Sequence, residues 1–432
     1  MDRSLLAVLL GTFTLRFSTG LTGALLGVYL AGLADRRVAG VGPVAIGILA
    51  ATFYLAEMLL SPLFGLLSDR IGHHRVMQYG PIFGAVAVVM TAYSTNLIGV
   101  TLVFLLVVGA TRALEGASTA ASVPSILGYI AMVTAGDEGL RGKASARFEG
   151  ATLAGLGVGI IAARPLWDAL GVTAFLVNAG IYGLSYLIYR FGVADPRGEP
   201  ELLAAPHPGW RRYGDLVRSS HVMLLAPTWI AVNAAIGLWF SQSIFQFART
   251  DPRFPDQFLH RGFDTLEFTA AAFAIALIFA AGLVYWGNRF KSMRRTTIIL
   301  YGVIGGAGLV AAGLALNHLA GVSVVLAGLC VVGAAAGLFV LAGATPAALG
   351  LLADISEAFP ADRGAIMGLY SVFLAIGQIT GALIGGFAAN ARGIDGLLVA
   401  TLVLLAFALV PLAALRRREH FLAGPGSAAS ID

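Results

Sequence analysis

Five polar residues stand inside long apolar runs, and the chemistry open to them is that of charge held away from water: Arg16, Glu57, Arg112, Glu115 and Asn233. Arg112 and Glu115 are three apart, which on a helix puts them on nearly one face. A structural ion pair is one use of that spacing. The other is a cation that tunes a protonatable carboxylate or binds an anion. At about 100° per residue, Gly20, Gly23 and Gly27 fall within about 40° of Arg16. Arg16 therefore shares a face bare of side chains, which either packs against a neighbour or leaves room for a ligand. Glu57, in Tyr54-Leu55-Ala56-Glu57, sits at a comparable depth. Burial raises a carboxylate's pKa and a nearby arginine lowers it, so a site that swaps partners binds and releases a proton. A permanent Arg16–Glu57 bridge is the alternative. Glu149, following Lys143 and Arg147, reads as a member of an interfacial pair.

The elements that must hold these groups follow from composition. The 432 residues are 58% hydrophobic and only 12% charged, against about 25% charged in soluble domains. Twelve bilayer spans of roughly 20 residues fill most of such a chain and leave no room for a large soluble domain. Nucleic-acid binding, secreted disulfide scaffolds and disordered tails are excluded as main roles. Apolar segments broken by charge predict helices near 4–32, 42–67, 76–96, 99–133, 144–165, 172–192, 222–246, 266–287, 296–316, 320–352, 364–389 and 395–415. The start, Met1-Asp2-Arg3 followed by Leu5–Leu15, has the look of a signal peptide but is interrupted by Arg16, and reads as a retained first helix. Of the 28 Lys and Arg, 19 fall on the side of the termini, 7 on the other and 2 inside spans. The positive-inside rule then places both termini in the cytoplasm.

An internal repeat organises the whole. Pro124 and Gly128 recur as Pro346 and Gly350, Arg141-Gly142 as Arg363-Gly364, and Gly155, Gly159 and Gly171 as Gly377, Gly381 and Gly393, always at one offset. Two parallel six-helix halves follow, related by an axis along the membrane normal. The expected division is 1–193 and 222–415 for the bundles, 194–221 for a cytoplasmic linker with an amphipathic piece at Trp210–Ser219, and 416–432 for a cytoplasmic tail.

Between the second and third spans the chain reads Gly65-Leu66-Leu67-Ser68-Asp69-Arg70-Ile71-Gly72-His73-His74-Arg75. This resembles the signature loop of the major facilitator superfamily, and Gly65, Asp69, Arg70, Gly72 and Arg75 carry the resemblance. The loop after the eighth span, Gly287-Asn288-Arg289-Phe290-Lys291, looks like a decayed copy without the acid. Arg112 followed four residues later by Gly116 resembles the family's second motif. The resemblance implies twelve helices around a central cavity lined by spans one, four, seven and ten, and an acid at Asp69 that latches the first half to the start of span eleven near Asp362-Arg363-Gly364. In span seven, Trp229 and Asn233 share one face while Trp239, Gln242 and Gln246 share another about 100° away. Trp239 reads as part of an interfacial aromatic belt, which leaves Asn233 to face the cavity. Gly368, Gly377, Gly381, Gly385 and Gly386 resemble the family's antiporter glycine ladder, but in span eleven and with Ala382 at the proline position. Span five keeps Gly155 and Gly159 and then departs with Ala163-Arg164-Pro165.

The expectation is a polytopic all-α secondary transporter in a prokaryotic-style inner membrane. It alternates between two openings as a monomer, carrying a small organic solute between Arg16, Glu57, Arg112, Glu115 and Asn233, with protons as a coupling partner. The arginines suit an organic anion, the acids an amphipathic or cationic compound. A receptor or assembly factor of the same fold without a transport cycle is the rival reading. No phosphate-binding glycine loop or His-x-x-x-His spacing occurs, and Cys330 is the only cysteine, so neither an enzyme nor a bound cofactor or metal is expected.

Overall fold

The computed structural model describes residues 3–134, 138–194, 222–289, 292–357 and 363–417. The linker with Trp210–Ser219, Asp362 and the tail beyond Arg417 lie outside them. The described residues form thirteen α-helices, two short 3-10 turns at Thr95–Leu97 and Phe258–His260, and no strand. In chain order α1 is Arg3–Asp35, α2 Pro43–Ile71, α3 His73–Val76, α4 Tyr79–Ser94, α5 Thr101–Val133, α6 Glu138–Leu170 and α7 Thr173–Gly192. Then come α8 Val222–Phe247, α9 Thr265–Arg289, α10 Arg295–Leu319, α11 Val324–Leu341, α12 Ala344–Glu357 and α13 Arg363–Arg417. Gly42 with Pro43 opens α2, where a missing N–H costs nothing. At Arg392 and Gly393, whose φ is 59°, α13 bends into two arms, which match the last two segments expected from sequence.

Ten helical stretches among the described residues are long and apolar enough to cross a membrane, and the last of them, Ser371–Arg417, contains both arms of α13. α7 is not among them. Its apolar run is interrupted by Asn178, Tyr182, Ser185 and Tyr189, spaced so that all four lie on one buried face. The segment expected as one helix over 320–352 is two, α11 and α12, separated at Ala342-Gly343. Pro346 has no N–H for the Ala342 carbonyl and its ring crowds that carbonyl, so the ladder breaks there.

By packing, the chain divides into two units, Met1–Ala205 with Phe263–Ala272, and Pro206–Gly262 with Phe273–Asp432. In the first, α1 packs on α6 and α7, α2 on α5, and α4 on α5 and α7. In the second, α8 packs along α13 and α10 against α11, α12 and α13. The glycines explain how the long helices come so close. A Cβ on Gly155 would lie 2.5 Å from the Phe13 carbonyl, one on Gly159 2.2 Å from that of Phe17, and one on Gly20 2.4 Å from that of Leu156. The same three contacts recur in the second unit: Gly377 on the Ile230 carbonyl, Gly381 on that of Ala234 and Gly237 on that of Gln378. A second pair of contacts repeats as well. The His73 ring is seated on Gly128 and the Arg295 guanidinium on Gly350, so the internal repeat holds in packing as well as in sequence.

Candidate functional site

The charged side chains within the spans of the first unit come from four helices: those on α5 are buried, Arg16 and Glu57 are half-buried and Glu149 is exposed. On α5, Arg112 is 7% exposed and Glu115 1% exposed, and the two are in direct ion contact. The arginine also lies over the Phe53 ring of α2, 5.9 Å from its centroid. Gly116 allows the approach, since a Cβ there would sit 2.3 Å from the Phe53 carbonyl and 3.0 Å from the Glu57 nitrogen. The α2–α5 contact therefore brings Glu57 beside the helix that carries the Arg112–Glu115 pair. Tyr54, one turn before Glu57, feels the charge of both Glu57 and Arg112.

Arg16, on α1, is half-buried, with its Cβ against Gly155 of α6. Its guanidinium acts on Glu57 and on Glu149 of α6. Among the described residues it makes no ion pair within 4.0 Å with either. The glycine face expected beside it divides: Gly20 is packed on the Leu156 backbone, whereas a Cβ on Gly23 would meet nothing within 4 Å. Both halves of the expectation, close packing and open space, thus occur on one face.

Sequence reasoning passes over the polar stripe of α7. Asn178 donates to the Ser18 carbonyl (3.0 Å) and to Thr22 Oγ1 (2.8 Å), and Ser185 Oγ donates to the Gly11 carbonyl (2.9 Å). Tyr189 lies with its ring on Gly11. The stripe pins α1, and with it Arg16, to α7. Its signal in the sequence is the i, i+4, i+7, i+11 spacing of residues 178, 182, 185 and 189 in a helix otherwise apolar.

The signature loop has a defined shape. α2 ends at Ile71, and Gly72, with φ 100° and ψ 132°, turns the chain into α3. Asp69, Arg70 and Arg75 are exposed, while His73 is buried on Gly128 with Nε2 3.7 Å from Asp69 Oδ1. Gly65 faces Pro124 of α5.

In the second unit, Asn233 is 3% exposed, donates to the Trp229 carbonyl (2.9 Å) and has its Cβ against Gly377. Gln242 and Gln246 are equally buried, and Gln246 Nε2 donates to Gln242 Oε1 (3.2 Å). Trp239 Nε1 donates to Thr401 Oγ1 of α13 (2.9 Å). The connector 248–264 is a polar knot outside the spans. Asp251, 3% exposed, accepts from Arg249 (2.9 Å) and Arg253 (2.8 Å). Burial works to raise its pKa, but the Arg253 hydrogen bonds and both arginine charges outweigh it and hold the carboxyl at about 2. Burial depresses the His260 imidazole to about 4, against the pull of Asp251. Gln257 ties the knot to the bend of α13, donating to the Arg392 carbonyl (2.9 Å) and accepting from the Ile394 N–H (2.9 Å).

Known proteins resemble the chain at two levels. A stretch of 163 residues is 32% identical to the synaptic vesicular amine transporter of Rattus norvegicus and covers 37% of this chain and 29% of that protein. The Bos taurus protein of the same name is 33% identical over the same length. The match thus spans less than a third of those relatives. Among solved structures, nucleoside transporter NupG superposes with a TM-score of 0.67 at 13% identity, covering 96% of this chain and 99% of that one, and a mutant form of it with a TM-score of 0.70. That likeness is one of fold. Residues 8–341, well over half of the chain, match the Major Facilitator Superfamily as a family, and the chain belongs to it.

Proposed function

We propose that the protein is a secondary transporter that moves a small organic cation across an inner membrane in exchange for protons, as a monomer working by alternating access. Glu57 is the group that changes protonation. One observation carries the reading: Glu115 is closed off by Arg112, whereas Glu57 lies near Arg16 without an ion pair to it within 4.0 Å among the described residues. Glu57 shares the Arg16 charge with Glu149 and is not held by an arginine of its own, and an acid so placed is what a cation or a proton requires. Because the Arg112 charge is already matched, the organic-anion reading loses one of its two supports. The similarity to vesicular amine transporters points to the same substrate class.

Protonation of Glu57 leaves the Arg16 charge to Glu149, and release of that proton makes room for a cation. The loop from Gly65 to Arg75, with Asp69 as its acid, serves as the gate. The test is uptake of a radiolabelled aromatic amine into proteoliposomes. Accumulation should follow an imposed pH gradient and vanish when the gradient is collapsed with an ionophore. Uptake indifferent to the gradient would remove the exchange mechanism.

A further inference from the structure

At one end of the second unit, Arg294 at the N-cap of α10 and Arg416 and Arg417 in the last turn of α13 converge, with Ala413, on a hollow of about 310 Å³. All three arginines are exposed, and none makes an ion pair among the described residues. Basic residues at the end of α13 suit the negative pole of that helix. Arg294 does not fit its own helix in this way. A cation at an N-cap faces the positive pole of α10, and here it also faces two further guanidinium groups. The hollow therefore gathers three like charges and a helix N-terminus with no acid among the described residues of its lining, an arrangement that an anion stabilises. A general excess of arginine on one membrane side accounts for the presence of such residues, but not for their meeting at one point.

What lies beside the hollow identifies the anion's source. Tyr301 is seven residues after Arg294, about 20° from the same line along α10 and about 10 Å further along the helix. It is 41% exposed, and Ile304, one turn on, 55%. On α13, Val410 is three residues before Ala413 on the same face and 71% exposed. Apolar surface thus begins one to two turns from the arginines on both helices. A free phosphate uses none of it, whereas a phospholipid uses the charge and the apolar surface together.

We propose that this hollow binds the phosphate of an anionic phospholipid, with the headgroup held by Arg294, Arg416 and Arg417 and an acyl chain lying along Tyr301, Ile304 and Val410. The site is independent of the transport reading, since none of its residues belongs to the Glu57 region.

The experiment is native mass spectrometry of the purified full chain titrated with phosphatidylglycerol, with phosphatidylcholine and inorganic phosphate as the other arms. Phosphatidylglycerol should be retained in preference to phosphatidylcholine, and inorganic phosphate at the same concentration should not displace it. Each Arg→Gln substitution should weaken retention by about fivefold, and the triple variant by more than tenfold. Arg→Lys at the three positions should retain most of the binding, which separates loss of charge from loss of fold. Ala413→Glu, which leaves every arginine in place and puts a carboxylate in the hollow, should abolish retention. Equal retention of phosphatidylcholine, or wild-type retention by both the triple Gln variant and Ala413→Glu, would overturn the site. Displacement by inorganic phosphate would overturn its assignment to a lipid.

Discussion

Substituting the Arg112–Glu115 pair separates a structural ion pair from a coupling site. Glu115 is 1% exposed and its ion partner comes from the same helix. Replacing Arg112 by Met alone leaves a buried carboxylate unpaired, which costs about 3–5 kcal/mol. For a unit of this size about 1 kcal/mol moves an unfolding midpoint by about 2–4 °C, so the expected fall is roughly 6–20 °C. Glu115→Leu alone strands the guanidinium over the Phe53 ring and should cost a similar amount. Arg112→Met combined with Glu115→Leu removes both charges and keeps most of the volume, and such replacements are commonly neutral or stabilising by about 1–4 kcal/mol. The double variant should therefore unfold near or above the wild-type temperature and still accumulate amine under a pH gradient. Thermal unfolding of the purified variants and uptake by the double variant supply the two readouts. A double variant as unstable as the sum of the singles would refute the pairing. A stable double variant that no longer responds to the gradient would move the coupling role from Glu57 to Glu115.

Further outcomes follow from the packing and the charges. Gly159→Ala should destabilise by about 1–3 kcal/mol, because its Cβ would meet the Phe17 carbonyl at 2.2 Å; Gly157→Ala, with nothing within 4 Å, should be neutral or stabilising by up to about 1 kcal/mol. Gly381→Ala should reproduce the Gly159 effect in the second unit, where the Ala234 carbonyl takes the place of Phe17. The connector knot should weaken on acidification: His260, depressed to about 4, favours folding above its ordinary 6.5 and loses that contribution as the pH falls from 6.5 toward 4. Asp251, held at about 2, favours folding above 3.8 and loses its share between 3.8 and 2. Asp251→Asn should cost about 1–2 kcal/mol near neutrality, allowing for solvent screening of Arg253, and should flatten the lower part of the pH profile of unfolding.

The parts of the fold set by local pattern were legible in the sequence. Apolar runs located the long helices, and the constant offset from Pro124 to Pro346 and from Gly155 to Gly377 announced two related units. The pairing of Arg112 with Glu115 followed from i, i+3 spacing alone. Features that depend on which faces meet were not legible. The open Gly23 and the packed Gly20 look alike in sequence, since only the course of α6 decides which glycine receives a backbone. The packing of Asn233 is set in the same way: its Cβ lies against Gly377 and its amide donates to its own helix. The stripe from Asn178 to Tyr189 was passed over because α7 is apolar on average and its polar groups show their role only through partners on α1. The break between α11 and α12 was signalled by Pro346, yet Pro124 at the matching place leaves α5 continuous, so the proline alone does not decide.

Exchange and net flux compared in the same vesicles test most directly whether Glu57 couples protons to solute. Glu57→Gln proteoliposomes, with residue 57 fixed in the neutral form, should lose both exchange of labelled for unlabelled amine and accumulation under an imposed pH difference, whereas Glu57→Asp should keep both. Accumulation by Glu57→Gln equal to wild type, with its dependence on the pH difference intact, would contradict the assignment.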